Sequence, residues 1–182
     1  AAPSETPAVT GGSVRSPISP DATVKMKDDH WLSAFRRYRS EEVDYGDFVK
    51  GGALELSREL EERTKQDPVR FARLASHMPD DAHANYFTAI LRGVGGSEHE
   101  VPIGVVTDLL ERCHALPGRP CGDVIAHPLR RHMDAPLTPA AVAILTWYAQ
   151  HDPDPAAALD DLGADPARTV MVGDDPLTDT GA

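Results

Sequence analysis

Apolar side chains recur at helical spacing through most of this chain, and proline or glycine separates each run from the next. One such run consists of Phe71, Leu74, Ala75 and Met78. Residues spaced in this way lie on one face of an α-helix. No segment before Asp152 alternates apolar and polar residues over the length of a strand. The pattern therefore predicts an all-α fold.

Capping residues set the expected helix boundaries. Asp28 suits the N-cap of a helix over 29–38, and Ala53 begins a helix that reaches Gln66. Asp67-Pro68 and Thr138-Pro139 each combine a capping side chain with a proline in the first turn. The remaining expected helices begin after Asp80 or Asp81, at Pro102 and at Gly122, the last of these extending to His132.

The expected helices are about 10 to 14 residues long and short turns join them, which is typical of antiparallel helical hairpins. Capped pairs recur at intervals of roughly 30 to 45 residues, which favours a HEAT-like stack of such hairpins. A closed helical bundle is the alternative arrangement.

Both ends of the chain differ from this helical body. Residues 1–19 are rich in Pro, Ser, Thr and Gly, and we expect a disordered linker there because little apolar surface is available for burial. Residues 20–151 form the expected helical-repeat domain. Residues 152–182 carry eight aspartates and one arginine, which accounts for −7 of the formal net charge of −11. We expect an irregular acidic tail there.

The charge and composition exclude several classes of partner. A chain with a net charge of −11 repels phosphate backbones and anionic lipid, so we expect neither nucleic acid nor a membrane surface as a partner. No apolar run approaches the roughly 20 residues of a membrane span. Two cysteines are too few to staple a domain of this size, which fits a reducing, cytoplasmic location. Because residue 1 is not Met, we read the chain as a piece of a longer protein.

A zinc site is one hypothesis for the middle of the chain. Thiolates and imidazoles are the ligands that zinc prefers, and Cys113, Cys121, His127 and His132 lie close together in sequence. Their spacing is not that of a zinc finger, and no Cys-x2-Cys pair is present. Cys113 also falls on the apolar face of its helix, where a free cysteine packs well. The alternative is a rigid turn between helices at residues 117–122.

A magnesium site is a second hypothesis, for the tail. The run from Thr169 to Asp179 resembles the last motif of haloacid-dehalogenase-type phosphatases, in which a strand delivers Gly-Asp-x4-Asp to a magnesium ion. The resemblance implies Asp174 and Asp179 as the metal-binding carboxylates. The nucleophilic Asp-x-Asp at the end of a first strand is missing, and without it no phosphoryl-aspartate can form. A phosphatase remnant or fusion is therefore the alternative function, and an acidic turn is the simpler interpretation.

Other catalytic motifs do not occur in the sequence. It contains no Gly-x4-Gly-Lys-Ser/Thr phosphate-binding loop and no Gly-x-Ser-x-Gly nucleophile elbow. We therefore expect no catalytic residue and no cofactor in this chain.

An ordered series of motifs runs along the helical body. The series comprises Ser16-Pro17-Ile18, Met26-Lys27-Asp28-Asp29-His30-Trp31-Leu32-Ser33-Ala34-Phe35, Lys50-Gly51-Gly52, Leu56-Ser57, Gln66-Asp67-Pro68-Val69-Arg70-Phe71-Ala72-Arg73-Leu74-Ala75, Met78-Pro79-Asp80-Asp81, Tyr86-Phe87-x2-Ile90-Leu91-Arg92-Gly93, Arg112-Cys113-His114-x-Leu116-Pro117-Gly118-Arg119-Pro120-Cys121-Gly122, Ile144-Leu145-Thr146-Trp147-Tyr148-Ala149 and Asp152-Pro153-Asp154-Pro155. Over about 16–155 it resembles the helical-repeat region that follows the NTPase module in large bacterial STAND (NACHT-like) proteins, some of which are antiviral sensors. Asp175-Pro176-Leu177-Thr178 is similar to a further stretch of such families.

The resemblance implies a non-catalytic sensor or interaction segment of a larger ATP-binding protein. Its partner would be a protein ligand or other domains of the same polypeptide, and binding would release or assemble the NTPase. Exposed aromatic side chains such as Trp147 or Tyr45 are the expected anchors for such a partner.

Overall fold

A computed structural model describes residues 15–41, 51–132, 134 and 136–151. Every regular element in these ranges is helical, and none of them contains a strand, which confirms the all-α prediction for the described residues. The α-helices are α1 (Pro20–Val24), α2 (Asp28–Arg37), α3 (Ala53–Gln66), α4 (Pro68–Ala75), α5 (Ala84–Gly96), α6 (Ile103–His114) and α7 (Pro139–His151). Two short 3₁₀ helices, Gly122–Val124 and His127–Arg131, lie between α6 and α7.

Helix α5 lies at the centre of the packing. Helix α3 packs along it more extensively than any other element does, and α4 and the second 3₁₀ helix also contact it. Helix α4 packs in turn against α6, and α6 packs against α7. Neighbours in space are thus often two helices apart along the chain, as with α3 and α5 or α4 and α6.

An aromatic cluster joins α2 to this central packing. Trp31 and Phe35 of α2 are fully buried. The Trp31 ring lies edge-on to Phe71 of α4, with centroids 5.6 Å apart, and the Phe35 ring lies 4.7 Å from that of Tyr86 in α5. The Tyr86 hydroxyl donates a hydrogen bond to the Tyr38 carbonyl at 2.7 Å, just after α2 ends. These contacts pack α2 against α4 and α5.

Two glycines allow α5 to approach its neighbours closely. A Cβ placed on Gly93 would lie 2.5 Å from Cβ of Thr64 in α3. A Cβ on Gly95 would lie 2.5 Å from the carbonyl oxygen of His127 in the second 3₁₀ helix. Both distances are well below van der Waals contact, so the close packing of α5 depends on the missing side chains.

Several predicted boundaries are confirmed. Helix α3 spans the predicted residues, and α4 begins at Pro68, where the Asp67 carboxylate accepts a hydrogen bond from the Arg70 amide. Helix α7 begins at Pro139, and the Thr138 hydroxyl accepts one from the Ala141 amide. The capping prediction succeeded at these two sites because proline and the capping side chain favour the same conformation there.

Other predicted caps are wrong, because the carboxylates pair instead with arginines that are distant in the sequence. Asp28 is the first residue of α2 and binds Arg70 at 2.7 Å, so Lys27 occupies the N-cap position. Helix α5 begins only at Ala84, capped by the His83 ring. The two aspartates predicted as its caps bind other partners, Asp80 with Arg112 and Asp81 with Arg39.

Three further expectations need correction. The helix predicted over 122–132 is two 3₁₀ helices rather than one α-helix. Helical spacing also predicts Leu54 and Val142 on the apolar faces of their helices, but these side chains are 37% and 46% exposed. Each lies one residue away from the buried stripe of its helix.

Residues just ahead of α1 contact the helical domain, although the sequence assigns them to the linker. The Arg15 carbonyl accepts a hydrogen bond from the Gly51 amide at 2.8 Å. Ile18 packs against the core, and the Ser19 hydroxyl caps α1. Residues 1–14 and the predicted acidic tail, 152–182, lie outside the described residues.

Candidate functional site

A surface groove of about 420 Å³ lies where α6 ends and α7 passes. It is lined by residues 114–119 and by Trp147 of α7. The backbone turns sharply through Gly118, at φ 74°, and Arg119, at φ 48°. A left-handed conformation is unusual for a residue with a side chain. In this turn, the left-handed conformation directs the exposed side chain of Arg119 toward α7.

We refer to this feature, formed by residues 114–119 and Trp147, as the Trp147 groove. The guanidinium carbon of Arg119 lies 4.0 Å from the centroid of the Trp147 ring, which is a close cation–π contact. The His151 ring stacks on the same indole at 4.7 Å, and His114 meets it edge-on at 5.2 Å. Three side chains from separate positions therefore hold the half-buried indole in place.

Arg119 keeps part of its hydrogen-bonding capacity. Its Nε donates to the His114 carbonyl at 3.2 Å, at the end of α6. No described residue accepts a hydrogen bond from its two terminal nitrogens. A guanidinium fixed at Nε and open at its terminal nitrogens is suited to binding a carboxylate.

His114 contributes an imidazole that is neutral at neutral pH. Burial lowers its pKa below the usual value of 6.5, and the positive charge of Arg119 lowers it further. Its Nδ1 is shielded from solvent and has no hydrogen-bond partner among the described residues. The groove therefore presents one fixed cation, Arg119, beside a mainly apolar wall.

The two cysteines of the predicted zinc site lie beneath this groove. Cys113 and Cys121 are free thiols, and both are completely buried. The hydrogen bond to Cys121, followed by burial, raises the pKa of Cys113. The same hydrogen bond lowers the pKa of Cys121, because it stabilises the thiolate.

The histidines of the predicted zinc site do not complete it. His127 packs against Gly95 of α5, and His132 lines a different cavity of about 460 Å³ together with Arg131. No three His, Cys, Asp or Glu side chains within the described ranges are arranged to hold a metal ion. The zinc site was predicted from the short spacing of these residues in the sequence. The first 3₁₀ helix and the turn after it lie between the thiols and the histidines along the chain, so closeness in sequence does not bring the four side chains together.

Of the other residues that the sequence analysis named, one lies within the described ranges and the rest lie outside them. Trp147, expected as an anchor, lines the groove, whereas Tyr45 lies outside the described residues. Asp174 and Asp179, the two carboxylates of the magnesium hypothesis, also lie outside them. Sequence reasoning missed Arg119 as a site residue. Its only signal was its place between Gly118 and Pro120, which marks a tight turn.

No family model matches the chain, and comparisons with curated proteins and with solved structures also found no match. Among the helices that the structure describes, none combines the length and apolar character needed to cross a bilayer.

Proposed function

We propose that this chain is a non-catalytic protein-interaction segment, a HEAT-like helical region of a larger STAND-type ATP-binding protein that acts as a sensor. The observation that carries the interaction role is the Trp147 groove, in which Arg119 lies over the indole and keeps its terminal nitrogens open. The assignment of the chain to a larger STAND-type protein is a separate step of the proposal, and it rests on the ordered series of sequence motifs.

The packing order supports the HEAT-like part of the proposal. In a stack of helical hairpins, the first helix of one hairpin packs on the first helix of the next, and second helices pack on second helices. Contacts between α3 and α5 and between α4 and α6 follow this order. Motifs of the series also lie at helix starts: Gly51-Gly52 immediately precede α3, and Asp67-Pro68 begins α4.

The partner that we propose for the Trp147 groove is a protein segment with an apolar side chain next to a carboxylate. The indole and the wall formed by Leu116 and Pro117 would receive the apolar side chain. The terminal nitrogens of Arg119 would bind the carboxylate in a charge-assisted pair. Aromatic residues and arginine are the side chains most often dominant in protein interfaces, and here they are in contact before any partner binds.

Selection from a library of short random peptides, displayed on phage, tests this role on the full 182-residue chain. We expect the enriched peptides to share Asp, Glu or a free C-terminal carboxylate beside an apolar residue. Arg119→Ala should weaken their binding by roughly tenfold or more, because a hydrogen bond to a charged group contributes about 1.5–3 kcal/mol. Trp147→Ala should weaken binding at least as much.

Arg58→Ala is the matched control. Arg58 lies on the exposed face of α3, outside the groove, and its replacement changes the net charge by the same amount. Binding of the selected peptides should be unchanged in this variant. Peptides without a common carboxylate, or equal losses in the Arg119 and Arg58 variants, would contradict the proposed role of the groove.

A further inference from the structure

The Trp147 groove presents a cation with no carboxylate beside it. Its lining, residues 114–119 and Trp147, contains Arg119 and no acidic side chain. The Arg119 guanidinium carbon lies 4.0 Å from the centroid of the indole, and no described residue accepts a hydrogen bond from its terminal nitrogens. Arginine binds a carboxylate through two parallel hydrogen bonds, for which these nitrogens can serve as donors. The groove is therefore complementary to an acidic segment.

The chain carries an acidic segment directly after α7. Helix α7 ends at His151, and the ring of this residue stacks on the Trp147 indole at 4.7 Å. The chain therefore leaves α7 beside the groove. Residues 152–182, which follow, carry eight aspartates and one arginine. Their negative charge complements the positive charge of Arg119 and attracts the segment to the groove.

One stretch of this segment, Leu159-Asp160-Asp161-Leu162, combines the two features that the groove requires. Each of its aspartates is bonded to a leucine, so an apolar side chain stands next to a carboxylate. The earlier aspartates lack this neighbour, because Asp152 adjoins His151 and a proline, and Asp154 adjoins two prolines. Residues 159–162 are therefore the first part of the segment with the composition expected of a ligand for the groove.

The distance along the chain permits this contact. Seven residues, 152–158, separate His151 from Leu159, and an extended chain of that length spans about 23 Å. Trp147 lies one helical turn before His151, which is about 6 Å along the axis of α7. The intervening residues are long enough for the chain to turn back and bring residues 159–162 to the groove.

We propose that residues 159–162 occupy the Trp147 groove of their own chain and regulate its access to a partner. The Asp160 carboxylate accepts hydrogen bonds from the terminal nitrogens of Arg119, and the Leu159 side chain packs on the apolar wall of the groove. A partner must displace this segment before it binds, so the segment is an autoinhibitory competitor. This regulation rests on the proposed function, whereas the contact within the chain does not.

The size of the competition follows from the short connection. A short linker gives its ligand an effective concentration of about 1 mM. A segment that binds with a Kd of about 0.1–1 mM then raises the apparent Kd of a competing partner by about 2- to 10-fold. The double variant Asp160→Asn with Asp161→Asn removes the charge-assisted pair and should release this competition.

The indole N–H resonance of Trp147 reports occupancy of the groove in NMR spectra of the full 182-residue chain. The chain contains two tryptophans, and Trp31, which is fully buried, is the internal reference. We expect the Trp147 resonance to shift in the double variant and the Trp31 resonance to stay in place. Asp165→Asn with Asp175→Asn is the matched control, because it changes the net charge by the same amount within the same segment. Neither resonance should move in this control.

Three results of the NMR experiment would overturn the proposal. The first is a Trp147 resonance that stays in place in the double variant, and the second is an equal shift in the control. The third is a shift that depends on protein concentration, which would place the segment of a second copy in the groove.

Binding of the peptides selected on the groove tests the regulation. The double variant should bind them about 2- to 10-fold more tightly than the parent chain, and the control should bind them as the parent does. An unchanged affinity despite a shifted Trp147 resonance would refute the regulation. Failure to select any peptide would refute the proposed function and leave the NMR result valid. Peptides that bind while the Trp147 resonance stays in place would support the function and overturn this inference.

Discussion

Replacing Gly93 by alanine tests the close packing of α3 on α5, which is the most extensive contact of the fold. The new Cβ would lie 2.5 Å from Cβ of Thr64, 2.7 Å from its Cγ2 and 2.9 Å from the carbonyl oxygen of Glu61. Ordinary contacts between carbon atoms begin near 3.5 Å, so the helices must separate by roughly 1 Å. Rotation of Thr64 cannot relieve the contact, because its hydroxyl is buried and bonded to the Leu60 carbonyl at 2.7 Å.

Two opposing effects set the magnitude. Overpacking of a core costs about 1–3 kcal/mol, whereas exchanging glycine for alanine inside a helix contributes up to about 1 kcal/mol of stability. Because backbone atoms form part of the clash, we expect the first effect to dominate. Gly93→Ala should therefore lower the free energy of unfolding by about 1–2 kcal/mol, which corresponds to a fall in Tm of roughly 2–8 °C in a chain of this size.

Gly104→Ala provides a matched control within another helix. Gly104 lies in the first turn of α6, and a Cβ there would meet nothing within 4 Å. The same chemical change should leave stability unchanged or raise it by up to about 1 kcal/mol. Thermal unfolding followed by far-ultraviolet circular dichroism, which reports the loss of helical structure, measures both variants. A Gly93 variant as stable as the parent chain would refute the close approach of α3 and α5.

Three further outcomes are expected. Arg112→Met should lower the free energy of unfolding by about 2–3 kcal/mol in urea titrations, because Arg112 donates hydrogen bonds to two carbonyls near the end of α4. Arg39→Met, which removes the exposed ion pair between Arg39 and Asp81, should lower it by only about 0–1 kcal/mol. The pKa of His114 is lower in the folded chain than the usual 6.5, so the unfolded chain binds the proton more readily. The stability that His114 contributes is therefore present above pH 6.5 and is lost as the pH falls below that value, which lowers the Tm. In His114→Gln, the Tm should fall less over the same pH range. We expect no magnesium-dependent hydrolysis of p-nitrophenyl phosphate; turnover that Asp174→Asn abolishes would instead support the phosphatase alternative.

The helices were predictable wherever one local signal determines them. Asp67-Pro68 and Thr138-Pro139 begin helices as predicted, since capping and proline geometry act within a few residues. Asp28 was misassigned because its carboxylate binds Arg70, 42 residues away. A pairing over that distance depends on how the helices pack, and the helical spacing of apolar residues carries no information about it.

The candidate site was predictable only in part. Trp147 was expected as an anchor from its residue type, yet the groove beside it also needs Arg119, which a left-handed turn directs toward α7. Cys113 and Cys121 were grouped with two histidines because all four lie close in sequence. Both thiols belong to the hydrophobic core, but short 3₁₀ helices replace the predicted α-helix, and the histidines do not join the thiols in a metal site.

Reading the coding DNA on both sides of this segment tests the central claim most directly. The account predicts that the same reading frame continues upstream into an NTPase module with a Gly-x4-Gly-Lys-Ser/Thr phosphate-binding loop. In-frame stop codons at both ends, with no NTPase module encoded in that frame, would contradict the assignment to a STAND-type sensor.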